Sequence, residues 1–214
     1  MDKTILYSLI KTERPMIVEI GAHYGEDSEN FLNMFPSCRL FMFEPDPRCV
    51  KVIKRKGLGG TLIEKAVSDT DGLEMFYPSK TINGRFNHDG SGSLLKPKEH
   101  LTVFTDVGFD EPVEVPAMRL DTFCMNYAIY RINFIWMDVQ GAEGKVFEGG
   151  RVIFQTGVEY LFTEYDNVEL YEGAPTQEKI LKILRNYEIV QDYPGGACGD
   201  MLLRNNLQDN WRKE

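Results

Sequence analysis

The sequence predicts an α/β fold, and three observations lead to it. Strand-like apolar runs alternate with amphipathic, helix-like stretches along most of the chain. The first such pair, M-I-V-E-I-G-A-H-Y-G-E-D-S over residues 16–28, joins strand to helix through Gly21 and Gly25. Three acids, Glu44, Asp138 and Glu164, stand at the ends of further strand-like runs. In an open α/β sheet that edge is where ligands bind.

The elements follow in order. Residues 2–11 read as a short amphipathic helix capped by Asp2, and Pro15 marks the entry to the first strand. Ile17, Val18 and Ile20 make Met16–Ile20 a buried strand. Gly21 breaks it and lets backbone approach a ligand without a Cβ in the way. Glu26, Asp27 and Ser28 suit a helix N-terminus, and Phe31, Leu32 and Phe35 carry the helical spacing until Pro36. The spacing E-x-G-x-x-x-G differs from the G-x-G-x-x-G of a dinucleotide fold.

A second strand, Leu40–Phe43, ends in F-E-P-D-P. Glu44 lies about 20 residues beyond the glycine turn, where such folds place the acid that binds ribose hydroxyls. Pro45 and Pro47 fix the exit, and 46–56 reads as a helix with Val50 and Ile53 inward. The third strand is expected over Thr61–Val67. Asp71-Gly72 then signals a tight turn into Leu73–Tyr77, so 66–77 reads as a hairpin-like excursion. Ser68 and Asp69 fall at a strand end, as a polar turn or as adenine neighbours.

Residues 78–97 are rich in Gly, Ser, Asn and Lys, too long for a plain connection and suited to a functional loop hinged at Gly90 and Gly92. His88 and His100 lie in or near it, either solvated or available as bases. Val113–Met118 reads as a strand leading into a helix to about Ala128, with Arg119 and Asp121 as a structural pair. Phe134–Met137 is a buried strand closed by Asp138, and Gly141 turns the chain into a helix carrying Glu143. Both acids suit capping and dipole pairing, or a shared cleft with the glycine turn. Val158–Phe162 is a strand followed by Glu164. Residues 176–187 form an amphipathic helix, and Glu188–Tyr193 and Asp200–Arg204 form two antiparallel strands joined by P-G-G-A-C-G. The tail 205–214 is polar and expected to be loose. With no internal repeat and no boundary signal, the expectation is one domain over 1–214.

Composition narrows the function. The net charge of −9 and pI near 5.0 disfavour a binder of naked nucleic acid, which would carry a basic face. The four cysteines, Cys38, Cys49, Cys124 and Cys198, are scattered, with neither zinc spacing nor a disulfide framework. No run has the length of a membrane span or signal-peptide core, so a cytoplasmic location is expected.

The motifs V-E-I-G-A-H-Y-G-E-D-S, F-E-P-D-P, A-V-S-D-T-D-G, S-G-S-L, R-L-D-T-F, I-W-M-D-V-Q-G-A-E-G-K-V-F-E-G-G and L-Y-E-G-A-P-T-Q-E-K-I resemble the FkbM family of S-adenosylmethionine-dependent methyltransferases, from about Met16 to Arg204. The D-V-Q-G-A-E block is the specific part. The resemblance implies a class I methyltransferase (Rossmann-like) sheet, mostly parallel, with helices on both faces and an antiparallel last strand. It implies methyl transfer to a hydroxyl oxygen, often of a sugar or another natural product. Two positions depart from the family pattern. Glu19 stands where Asp is usual, which keeps the carboxylate, and His23 stands where Asn is frequent.

By the same resemblance Glu19, Gly21, Ala22, His23, Gly25 and Ser28 form the methionine-binding turn. Glu44 and Pro45 hold the ribose, Ser68 and Asp69 lie by the adenine, and Asp138 and Gln140 lie by the methionine amine and methyl group. The sulfonium methyl is already activated, so the protein must align donor and acceptor and manage one proton. Asp138, Glu143, Glu164 and His23 are the candidate bases. The acids could instead hold a divalent ion such as Mg²⁺; no dedicated metal site is expected. The acceptor is expected to be a small molecule or glycan bound by the 78–100 loop and Tyr165–Tyr171. The alternatives are a non-sugar natural-product or lipid hydroxyl, or a nicotinamide-dependent oxidoreductase on a similar sheet.

Overall fold

The computed structural model describes residues 3–82 and 89–207. Its first half runs α1 (Ile5–Leu9), β1 (Met16–Ile20), α2 (Glu26–Met34), β2 (Arg39–Phe43), α3 (Pro47–Lys56) and β3 (Thr61–Ile63). An excursion follows: β4 (Ala66–Val67), β5 (Gly72–Phe76), β6 (Ser79–Thr81), α4 (His100–Val103), β7 (Val107–Phe109) and β8 (Val113–Met118). The chain closes with α5 (Leu120–Asn126), β9 (Ile132–Met137), α6 (Glu143–Gly149), α7 (Arg151–Thr156), β10 (Val158–Asp166), α8 (Gln177–Ile183), β11 (Tyr187–Tyr193) and β12 (Cys198–Asn205).

Seven strands make the main sheet in the order β11-β12-β10-β9-β1-β2-β3. The pairs from β10 through β3 are parallel, and β12 runs antiparallel to both its neighbours. This is the mostly parallel sheet with an antiparallel last strand that the sequence predicts. Helices cover both faces, so β1 and β9 are buried on successive residues rather than alternating. Val18, Phe41, Ile135 and Phe147 pack on one face, and Ile17, Leu40, Phe134 and Phe31 on the other. Order reverses beside β1: the chain leaves β1 for β2 and β3, then returns to β9 on the opposite side. The crevice at that switch is where the fold accepts a ligand.

Local chemistry sets the boundaries. Asp46 accepts a hydrogen bond from Arg48 N at 2.8 Å and Pro47 opens α3, while Gly57, left-handed at φ 62°, closes it. Helix α2 begins at Glu26, within the N-terminal run the sequence predicts, after Gly25 at φ 76° and with no side-chain cap. Helix α1 is shorter than 2–11, and Asp2 lies outside the described residues, as does His88.

Four expectations are corrected. The 61–67 strand is broken at Glu64–Lys65, because β3 joins the main sheet and β4 a separate one. The hairpin over 66–77 does not form: β8 lies between β4 and β5, pairing with both. Arg119 and Asp121 do not pair. Asp121 instead accepts from Val152 N and Ile153 N at the start of α7, and Arg119 N donates to Asp71. Asn205 is no loose residue; it is the fully buried end of β12, and its side-chain amide donates to Phe154 O at 3.1 Å. Residues 208–214 lie outside the described residues.

Candidate active site

The floor of the crevice is knitted from three strand ends. Gly21 N and Ala22 N both donate to Phe43 O at the end of β2, and Asp138 N donates to Ile20 O at the end of β1. This brings the backbones of Gly21 and Asp138 into contact. A Cβ on Gly21, which sits at φ 87°, would stand 1.9 Å from Asp138 O. Only glycine fits there.

Six of the sequence-predicted residues line the resulting cleft: Gly21, His23, Glu44, Pro45, Asp138 and Gln140. Glu44 is buried, its Oε2 accepting from His23 N at 2.7 Å and its Oε1 from Asp46 N at 2.8 Å. Burial pushes its carboxyl up to about 8, against the pull of those two N–H groups. Each carboxylate oxygen has a second lone pair, which leaves capacity for a vicinal diol. Phe43, Val67, Phe76 and Leu94 supply apolar walls.

His23 is held at φ 47°, an uncommon conformation for a side-chain-bearing residue. Its ring stacks on Tyr24 with centroids 3.9 Å apart, and its Nε2 lies 3.0 Å from Asp89 Oδ1. Tyr24 OH donates to the other oxygen of Asp89. Sequence reading missed Asp89, which has no motif of its own; its neighbours in S-G-S-L were the available signal. A base role for His23 would require that contact to part.

Beside Asp138, Gln140 occupies a left-handed conformation at φ 53°. Its Nε2 donates to Asp138 Oδ1 at 2.7 Å and lies 3.4 Å from Glu164 Oε2. Its Oε1 is 3.2 Å from the hydroxyl of buried Tyr171, and its carbonyl accepts from Ser93 Oγ at 2.7 Å. Backbone strain held by this many partners is characteristic of working sites. The Asp138 carboxyl is raised above the usual range, first because surrounding protein withdraws water, although the side chain still opens to the cleft. Glu164 is raised by burial and then by the nearby charges of Asp138 and Glu143. It lies one residue beyond the parallel β10–β9 register, inside β10 rather than past its end, because pairing with β12 carries the strand to Asp166. Glu164 and Gln140 also line a second, half-open cavity of ≈ 390 Å³ toward α4 and β7.

The remaining predicted residues lie behind this surface or beside it. Ala22 and Gly25 form the turn from β1 to α2. Glu19 points to the α2 face and receives the Ser28 hydroxyl, both fully enclosed. Ser68 donates to Glu74 at 2.8 Å, and Lys145 bonds Asp69 and Glu74 at 3.0 Å each, so Ser68 and Asp69 are engaged away from the cleft. Glu143 is buried, with Oε1 3.4 Å from Val139 N, under the turn that carries Gln140.

Burial pushes Glu19 and Glu143, like Glu44, up to about 8. The unfolded chain releases these protons near the ordinary value of 4.5. Between those limits the native state binds more protons, so its stability is full below the lower value and is lost as pH rises through the upper one. Thermal scans should therefore show Tm falling from about pH 5 to about pH 8 and levelling off above, and Glu19→Gln should flatten part of that slope. A Tm that rises over this range contradicts the burial argument.

Among the described residues, Asp138, Glu143 and Glu164 do not gather as a cation site. The group whose ligand atoms do lie within 4.8 Å of one another is His23, Cys49 and Asp89. There Asp89 already receives Tyr24, and burial raises the Cys49 thiol, disfavouring the thiolate a metal would need.

A family model described as the methyltransferase FkbM domain matches residues 19–189. The chain belongs to the FkbM methyltransferase family. It is 40% identical over 204 residues to 2-O-methyltransferase NoeI of Sinorhizobium fredii (strain NBRC 101917 / NGR234), covering 94% of this chain and 83% of that protein. Two solved structures share the fold at low identity. A fibrillarin/Nop5p complex matches at 8% identity and TM-score 0.51, over 94% of this chain and 78% of that one. The precorrin-6y C5,15-methyltransferase of Geobacter metallireducens GS-15 matches at 10% identity and TM-score 0.50, over 95% and 86%. As an FkbM methyltransferase the protein uses S-adenosylmethionine as methyl donor, which overturns the nicotinamide alternative. The cleft offers such a donor apolar walls in Phe43, Val67, Phe76 and Leu94 and the buried carboxyl of Glu44. No described helix is long and apolar enough to cross a membrane.

Proposed function

We propose that this FkbM methyltransferase transfers a methyl group to a hydroxyl of a sugar or glycan. The reading rests on one arrangement: the Asp138 carboxylate stands at the donor cleft, and Gln140 links it to Glu164 in the second cavity. The name of the 40% identical relative supports the oxygen as the methylated atom.

Bound S-adenosylmethionine supplies a methyl group on a sulfonium. The protein's own task is to orient the acceptor and take its proton. A neutral alcohol is a weak nucleophile, and a carboxylate whose pKa is raised above the usual range is a better matched base than an ordinary one. Gln140 occupies Asp138 Oδ1, which orients Oδ2 toward the acceptor proton. Glu164 enters as the group that holds an acceptor hydroxyl, and Glu143 as support for the turn. In this reading Glu44 and Pro45 border the ribose and Gly21 the methionine part. Ala22, Gly25, Glu19 and Ser28 shape the turn from behind, and Ser68 and Asp69 support the adenine side at a distance.

The test is a screen with methyl-labelled donor over methyl glycosides, oligosaccharides and non-sugar alcohols. Label is expected in carbohydrate products. Label only in lipid or polyketide-like alcohols would replace the sugar reading with the non-sugar one.

A further inference from the structure

The second cavity contains a polar group that the donor site does not use. His100, at the start of α4, is 2% exposed and lines this cavity, yet its Nδ1 is closed to solvent and, beyond its own backbone, finds no hydrogen-bond partner among the described residues. Buried polar atoms are nearly always paired, so an unpaired one calls for a cause. The ring is fixed rather than loose, packed against Phe104, Phe109 and Tyr171 at centroid distances of 4.8, 5.3 and 5.3 Å. Tyr171 in turn reaches Gln140, which lines both cavities.

We infer that His100 is an acceptor-binding residue: its imidazole bonds a ring hydroxyl of a monosaccharide unit seated in the second cavity. The inference rests on the proposed sugar acceptor. The lining holds both kinds of group a sugar ring uses, apolar Phe104 and Leu170 and polar Thr105, Asp106 and Glu164. The cavity volume falls within the range of small-ligand sites. Burial lowers the His100 pKa, which favours a neutral ring able to donate from one nitrogen and accept at the other. A unit bound here is adjacent, through Gln140 and Glu164, to Asp138.

The chain has three histidines, which makes the test direct. Histidine-labelled protein loaded with S-adenosylhomocysteine is titrated with methyl glycosides of glucose, galactose, mannose and xylose, and the His100 imidazole nitrogens are followed by NMR. At least one sugar should shift them saturably. His100→Phe keeps the aromatic packing and should weaken that sugar's binding, and its KM where it is methylated, by about tenfold or more. Its kcat should stay within about threefold, S-adenosylhomocysteine affinity should be unchanged, and Tm should be equal or higher. His100→Asn, with a polar atom near the Nδ1 position, should recover part of the binding. If no sugar moves the His100 signals, the inference is overturned, even if sugars are methylated elsewhere on the protein. A sugar that shifts His100 but receives no methyl group leaves the contact standing and overturns the transfer reading instead.

Discussion

Asp138→Asn should lower kcat by about 10²–10⁴-fold, the range lost when a positioned general base is removed. Donor affinity should change by less than about tenfold. Asparagine keeps the shape of the side chain and its contact with Gln140, whose amide lies 2.7 Å from Asp138 Oδ1. What it removes is a carboxylate able to accept the acceptor's proton. Steady-state rates with labelled donor, set beside calorimetric titration of S-adenosylhomocysteine, separate the two effects. Unchanged turnover would remove Asp138 from the proton transfer and leave Glu164 as the cavity-lining acid to test. Equal losses in turnover and affinity would make Asp138 a donor ligand only.

Gly21→Ala should be the most damaging single-methyl change in the cleft. The new Cβ would stand 1.9 Å from Asp138 O and 3.0 Å from its carbonyl carbon, at a backbone angle of φ 87°. Strain of this kind costs about 1–3 kcal/mol before any clash is counted. The opposing atoms are backbone, fixed by the Asp138 N to Ile20 O bond, so the strand ends must separate. Urea unfolding should show a loss of about 3 kcal/mol or more. Donor affinity should fall at least about 100-fold, because Gly21 and Asp138 share the cleft floor. A variant with wild-type stability and affinity would show that these strand ends are not in contact.

The sheet was legible because its signals are local. Ile17, Val18 and Ile20 before Gly21, and Phe134–Met137 before Asp138, are apolar runs cut by residues that cannot continue a strand. Glu44 and Asp138 could be placed at the cleft for the same reason, since each follows a strand end directly, and Gln140 through the resemblance of the D-V-Q-G-A-E block. What the sequence concealed are contacts between distant segments. That β8 would separate β4 from β5 depends on pairing between segments far apart in the chain, such as Ala66 with Ala117 and Phe76 with Val113, which no turn signal encodes. Ser68 and Asp69 fall at a strand end as expected, but Lys145 draws Asp69 and Glu74 to the helix side. Asp89 and Tyr171 are short polar contacts made between loops, visible only once the chain is folded.

The proposed reaction is methyl transfer from S-adenosylmethionine to a carbohydrate oxygen with Asp138 as the base. The most direct measurement supplies carbon-13 methyl-labelled donor and a glycoside mixture to the wild-type protein and to Asp138→Asn, and locates the label in the product by NMR. A single methyl ether on a ring hydroxyl is expected, formed by the wild type and nearly absent with the variant. Label on nitrogen or carbon, or the same ether formed equally by both proteins, would contradict it.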